Sequence, residues 1–357
     1  MEVLRLVFAV FAVLGVVDKI FRNRFKLGRE FDKGIMSAGS LILAMAGMLC
    51  LAPVIADGLS FVFSPLAKLL NLDLSFIGAF IANDMGGANV AKELASSDLI
   101  GGFNGLIVSS MMGVTLCFTI PVAMRVISRV YHSDVLLGIL CGVATIPVGC
   151  IVSGLMLKIP FGMLLLNLSP VIFVTALTCI GLVFKPALCN KAFTVIGRVV
   201  SFIIIIGLAI GIFQYVSNIT IIKNMLPLMD ALIIVCDIAV ILSGIFPLIV
   251  VVSRICRKPF AYIGRKMGID QTSVLGLVSS LANSIPTFNM VEDMDQKGRI
   301  INMAFAVSAS FVFGDHLAFT MAFNQKFLTA MVVGKLVSGI SAVIVANIVC
   351  EFKTKPS

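Results

Sequence analysis

The sequence predicts an all-α polytopic membrane protein, and three observations carry that prediction. Hydrophobic residues make up 59% of its 357 residues and charged residues only 13%, with a mean hydropathy of +1.11. Soluble domains hold about 25% charged and about 45–50% apolar residues, so the composition excludes a soluble globular class. The apolar residues come in long blocks, not at amphipathic spacing. The Lys and Arg residues behind the net charge of +9 stand in short runs between those blocks. That pattern orients a chain in a lipid bilayer; it is not a basic groove, and it implies no nucleic-acid partner.

A spanning helix needs about 20 mostly apolar residues, because roughly 30 Å of hydrocarbon is crossed at about 1.5 Å per residue. On that ruler a first membrane repeat occupies 1–158. Its span 3–20 is followed by a strongly basic stretch and no small-residue cleavage site, so it reads as a retained span and not a removed signal peptide. The span 35–57 comes next. Segment 74–96 is apolar but broken by Asn83-Asp84-Met85-Gly86-Gly87-Ala88-Asn89. Spans 100–124, which is free of charge, and 135–157, with Gly138 and Gly142, complete the repeat. Residues 159–194 supply a charge-free linker span at 160–184 and a cytoplasmic loop. A second repeat, 195–357, carries spans 199–217 and 229–252, then segment 271–291, broken by Asn283-Ser284-Ile285-Pro286-Thr287-Phe288-Asn289. Spans 300–324 and 328–350, with Gly334 and Gly339, and a short cytoplasmic tail follow.

The two broken segments align without a gap at Ala82/Ala282, Asn83/Asn283 and Asn89/Asn289, which suggests a five-element internal repeat. Gly and Pro at such breaks free backbone groups, which hydrocarbon tolerates only inside protein or beside a wet cavity. Charge decides between two topologies. If both broken segments are re-entrant hairpins and the N-terminus is outside, 20 of the 27 Lys and Arg residues are cytoplasmic. The exceptions are Arg5, Lys68, Lys92, Lys158, Lys223 and Lys326 outside and Lys335 within a span. If both segments cross fully, the basic residues divide evenly and the orienting bias vanishes. The expectation is therefore about nine full spans plus two broken-helix hairpins, with the second repeat inverted; eleven full spans is the alternative. The chain would be a multi-pass protein of a bacterial inner membrane, its N-terminus outside and its C-terminus cytoplasmic. Inverted repeats with broken helices at the midplane form a recurring transporter plan, the solute sitting at the breaks.

Ionisable groups within apolar segments cost about 2.5–3.5 kcal/mol each on insertion scales, so each needs a reason. Asp84, beside Asn83 and Gly86-Gly87, sets a carboxylate, an amide and freed backbone at one point; an N-cap role for Asp84 weighs equally. Asn83, Asn89, Asn283 and Asn289, placed alike at the two breaks, are candidate partners for a hydroxyl or ammonium group. Asp315 and His316 lie deep in 300–324; adjacent residues point about 100° apart on a helix, so both face one cavity only at a kink. The pair suits proton relay, or a buried hydrogen-bonded structural role. Asp237 and Lys335 are a possible buried ion pair. The nine Cys residues read as small apolar filler, and with His132 the only other His, a metal site or cofactor is not expected.

Several strings resemble the ethanolamine utilization protein EutH family. They are Asp84-Met85-Gly86-Gly87, Ala91-Lys92-Glu93-Leu94-Ala95, Ser110-Met111-Met112-Gly113, Ile120-Pro121-Val122-Ala123 and Thr145-Ile146-Pro147-Val148-Gly149-Cys150. Leu281-Ala282-Asn283, Ala304-Phe305-Ala306-Val307-Ser308-Ala309, Gly314-Asp315-His316-Leu317 and Gly334-Lys335-Leu336 continue the series in order. The resemblance implies a permease or facilitator bringing ethanolamine, or a similar small amine, into the cell for catabolism, and not an enzyme. It leaves homo-oligomerisation open. The rival readings are a transporter or channel for another small polar or cationic solute and, more remotely, an intramembrane enzyme with Asp84 and Asp315 as paired carboxylates.

Overall fold

A computed structural model of the chain describes residues 2–81, 87–255 and 257–354, and every regular element among them is helical. Helix α1 (Glu2–Ile20) is followed by α2 (Leu27–Leu41), which runs through a π-helical turn into α3 (Gly47–Leu70). Short helices α4 (Ser75–Phe80) and α5 (Gly87–Leu94) come next. Then α6 (Asp98–Gly102) leads through π-helical runs Phe103–Gly113 and Thr115–Thr119 into α7 (Ile120–Val126). Helices α8 (His132–Met156), α9 (Phe161–Phe184), α10 (Pro186–Ser217) and α11 (Leu228–Ile255) are long and apolar. The chain ends in α12 (Arg257–Met267), α13 (Gln271–Ala282), α14 (Ser284–Met290), α15 (Gln296–Ala309), α16 (Asp315–Phe323) and α17 (Leu328–Thr354).

Seven helical stretches among the described residues are long and apolar enough to cross a bilayer: 27–65, 98–126, 129–156, 161–184, 186–217, 228–255 and 325–352. Two segments expected as full spans differ. Residues 3–20 do form a helix, but Arg5, Asp18 and Lys19 place three charged residues within 18. Residues 300–324 are not one helix: the chain leaves helical geometry at 310–314, between α15 and α16.

Both segments read as interrupted fold back on themselves. Gly78 of α4 lies so close to α5 that a Cβ there would be 2.4 Å from the Ala91 nitrogen. In the second, Thr287 Oγ1 donates to the Gly276 carbonyl at 2.9 Å, a contact that a straight helix would hold about 16 Å apart. Their ends are clasped by carboxylates. Asp73 accepts from Ser75 N at 2.9 Å and from Ser96 N at 2.8 Å, joining the start of α4 to the turn before α6. Asp270 and Asp295 accept each other's backbone N–H at 2.5 and 2.7 Å, joining the starts of α13 and α15. Buried Asn104 donates to Ser75 Oγ at 2.7 Å, and buried Asn302 donates to the Ser273 carbonyl at 2.9 Å. Each segment thus enters and leaves the bundle at one end.

Packing is crosswise. Helix α1 lies on α11 and α10 on α3, while α2 and α11 pack together, as do α8 and α17. The last pair approach closely because a Cβ on Gly149 would sit 2.4 Å from the Gly334 carbonyl oxygen. Thr145 Oγ1 donates to the Ser338 carbonyl at 3.1 Å and Ser338 Oγ returns the bond to the Thr145 carbonyl at 3.0 Å. Large apolar side chains such as Phe61, Phe173 and Phe202 cover the outside.

Candidate functional site

The break at 310–314 lies against the break at Asn283. A helix ends with four carbonyls lacking intrahelical donors. At the end of α13 two of them find donors across the gap: Phe311 N donates to the Ser280 carbonyl at 3.0 Å and Phe313 N to the Leu281 carbonyl at 2.9 Å. Phe311 adopts the left-handed region (φ 63°), which a non-glycine residue holds only where its surroundings impose it. Gly314 is pressed on α13, a Cβ there falling 2.1 Å from the Ala282 oxygen. Asn283 caps α14, its Oδ1 accepting from Ile285 N at 2.8 Å. Asp315 opens α16.

A cavity of about 430 Å³ opens at this crossing. Asn283 and Asp315 line it, with Lys33, Ser37 and Ser40 of α2 and the rings of Phe118, Phe246 and Phe311. Phe118 and Phe311 meet edge to face at 5.8 Å. The Lys33 ammonium is bound to Glu30 at 2.6 Å on its own helix. A carboxylate, an amide oxygen and the faces of aromatic rings form a set that suits a small organic cation: the carboxylate supplies charge-assisted bonds and the rings attract positive charge. The amide and hydroxyls then have a polar tail to meet.

Of the residues singled out in the sequence, Asp315 and Asn283 meet here. Asn83 and Asp84 lie outside the described residues. Asn89 stands on α5 with its Nδ2 buried and without a hydrogen-bond partner among the described residues. Asn289 is exposed on α14 and does not line the cavity. His316 is fully buried against Phe311, ring centroids 5.1 Å apart, and neither ring nitrogen has a partner among the described residues. Asp237 and Lys335 do not pair: Asp237 is exposed on the outer face of α11, while Lys335 is buried and donates to the Ser110 carbonyl at 2.6 Å. Sequence reasoning missed Phe118, Phe246, Phe311 and the α2 serines. No local signal marked them, because Phe is also ordinary lipid-facing filler.

Comparison with known proteins gives a consistent answer. Residues 1–349 match the family described as Ethanolamine utilisation protein, EutH. A Listeria monocytogenes protein named "Probable ethanolamine permease EutH" is 44% identical over 96% of this chain and 92% of its own length. Proteins of the same name from Salmonella typhimurium and Escherichia coli are each 35% identical over 97% of this chain and 94% of theirs. No solved structure matches.

Proposed function

We infer the function of this chain from its family: it belongs to the EutH family of ethanolamine utilisation proteins. It is a membrane permease for ethanolamine and not an enzyme. The solute is carried into the cell as its ammonium form, since an alkyl amine titrates near the Lys value of about 10.4 and is protonated at neutral pH.

The cavity at the crossing of the two breaks is the binding site in this reading. The observation that carries it is the meeting of Asp315 with Asn283 among three Phe rings. Asp315 is the counter-ion, the rings face the ammonium carbon side, and Asn283 receives the hydroxyl. His316 acts from behind the break. Asn83, Asp84, Asn89 and Asn289 of the two interrupted segments are further partners for the solute in this proposal, with Asp84 a second acceptor for the amine.

The clasped ends of both segments support re-entrant hairpins, and the matching Asp73/Asp270 and Asn104/Asn302 devices support an inverted repeat. On the charge distribution the N-terminus is outside the inner membrane and the C-terminus cytoplasmic.

The test is uptake of radiolabelled ethanolamine at acidic external pH in cells lacking other routes. A charge-assisted bond is worth about 1.5–3 kcal/mol, so Asp315→Asn should weaken uptake roughly 10- to 100-fold at limiting solute, with membrane abundance unchanged. Asp84→Asn should act in the same direction. Unaltered uptake by Asp315→Asn would remove the cavity from the pathway.

A further inference from the structure

The corner between α1 and α2 carries two guanidinium groups with no counter-ion. Arg22 and Arg24 stand in the turn that joins the helices, and neither side chain has a hydrogen-bond or ion-pair partner among the described residues. The carboxylates that flank the turn in the chain are already engaged. Asp18 is 5% exposed and accepts from Phe25 N at 2.9 Å, Leu27 N at 2.7 Å and Gly28 N at 3.2 Å. Asp32 is paired with Lys19 and Glu30 with Lys33, each at 2.6 Å.

The turn itself is held in one shape. Arg22, Asn23 and Lys26 all adopt the left-handed region, at φ 66°, 55° and 61°. Residues with side chains hold that region at a cost, so three in one turn mark a conformation imposed by its surroundings. Asp18 imposes it from inside, and Arg254 of α11 donates to the Phe25 carbonyl at 2.6 Å from the other side. The two arginines are therefore carried on a fixed backbone.

Arg22 and Arg24 line a cavity of about 560 Å³, and the wall they share it with is apolar, formed by Leu14, Val17, Phe21 and Phe25. Phe21 and Phe25 are 67% and 63% exposed, large rings left open beside unpaired cations. An occupant that satisfies this cavity brings an anion and hydrocarbon in one molecule. Free phosphate or an acidic peptide supplies the anion without the hydrocarbon. Guanidinium groups fit phosphate oxygens in a two-pronged geometry. The turn also stands just before the stretch 27–65, which is long and apolar enough to cross a bilayer. Such a boundary is where lipid phosphates and acyl chains meet, and basic pockets there take anionic headgroups.

We propose that the α1–α2 corner is a binding site for an anionic phospholipid, its phosphodiester held by Arg22 and Arg24 and an acyl chain lying along Leu14, Val17 and Phe21. The site requires the chain to sit in a membrane and is independent of the solute it carries.

The test is native mass spectrometry of the purified full-length protein, titrated with phosphatidylglycerol and with phosphatidylcholine of identical chains. The wild type should prefer phosphatidylglycerol. Charge-assisted bonds to the phosphate make R22Q/R24Q bind it roughly 10- to 100-fold more weakly. R265Q/K266Q removes the same charge from the last turn of α12 and should keep the wild-type preference. Glycerol 3-phosphate, the anion without chains, should not displace the lipid at equal concentration. Where R22Q/R24Q does not fold, a photoactivatable phosphatidylglycerol on the wild type reads the site, and its adducts should map within residues 14–27. Equal wild-type binding of the two lipids would overturn the proposal, as would a preference retained by R22Q/R24Q or lost equally in R265Q/K266Q. Displacement by glycerol 3-phosphate, or adducts confined to other segments, would overturn it too.

Discussion

Asp315 and His316 are chain neighbours with different surroundings, one lining a cavity and the other buried against Phe311. The sequence marked both, along with Asn283, because polar groups inside apolar segments must have a reason. It did not tell which way each faces. Asp237 and Lys335 show why: depth along a helix follows from counting, but the face toward a neighbour depends on packing, and Asp237 faces outward. The Phe walls were illegible for another reason, since Phe is also ordinary lipid-facing filler, as exposed Phe61 and Phe173 illustrate. Gly314 yields a prediction at this scale. A methyl group there meets the Ala282 oxygen at 2.1 Å, so Gly314→Ala should destabilise the protein by about 1–3 kcal/mol and reduce uptake. Gly39→Ala, with open space around it, should stay within about 0.5 kcal/mol. Thermal unfolding of the two purified variants in detergent compares them directly.

The interrupted elements were partly visible in the chain. Polar clusters with Gly or Pro announced the two interruptions, and the described parts of both segments do fold back and close at one end. The third interruption, at 310–314, was hidden. It contains one Gly and no Pro, and what stabilises it is tertiary: carbonyls of Ser280 and Leu281 accept the N–H groups that helical geometry would otherwise use. The π-helical runs at 103–119 were equally invisible, because a charge-free apolar block carries no period to read. The clasps are testable. Burial pushes the Asp270 carboxyl up, but donation from Ser273 and Asp295 outweighs it and holds the group below its ordinary 3.8. A lowered carboxylate stabilises the fold above that ordinary value and loses the contribution as pH falls through the lower one. Asp270→Ala should therefore cost about 0.5–2 kcal/mol at neutral pH, as the loss of an N-cap does. The gap in Tm between Asp270→Ala and wild type should narrow below pH 3.8.

At the scale of the molecule, composition alone carried the class, and the charge runs supply an expected orientation. What they could not carry is how the two halves interlock, since pairings such as α1 on α11 and α10 on α3 leave no local mark. The close approach of α8 and α17 was half legible in their glycines. The orientation predicts that a green fluorescent protein fused at the C-terminus fluoresces and that alkaline phosphatase fused there is inactive. An active phosphatase would invert the proposed topology. If ethanolamine crosses through the cavity where the two breaks meet, radiolabelled uptake at acidic external pH, compared between wild type and Asp315→Asn at equal membrane abundance, should be clear in the wild type and fall by roughly 10- to 100-fold in the variant; equal uptake by the two proteins would place the pathway elsewhere.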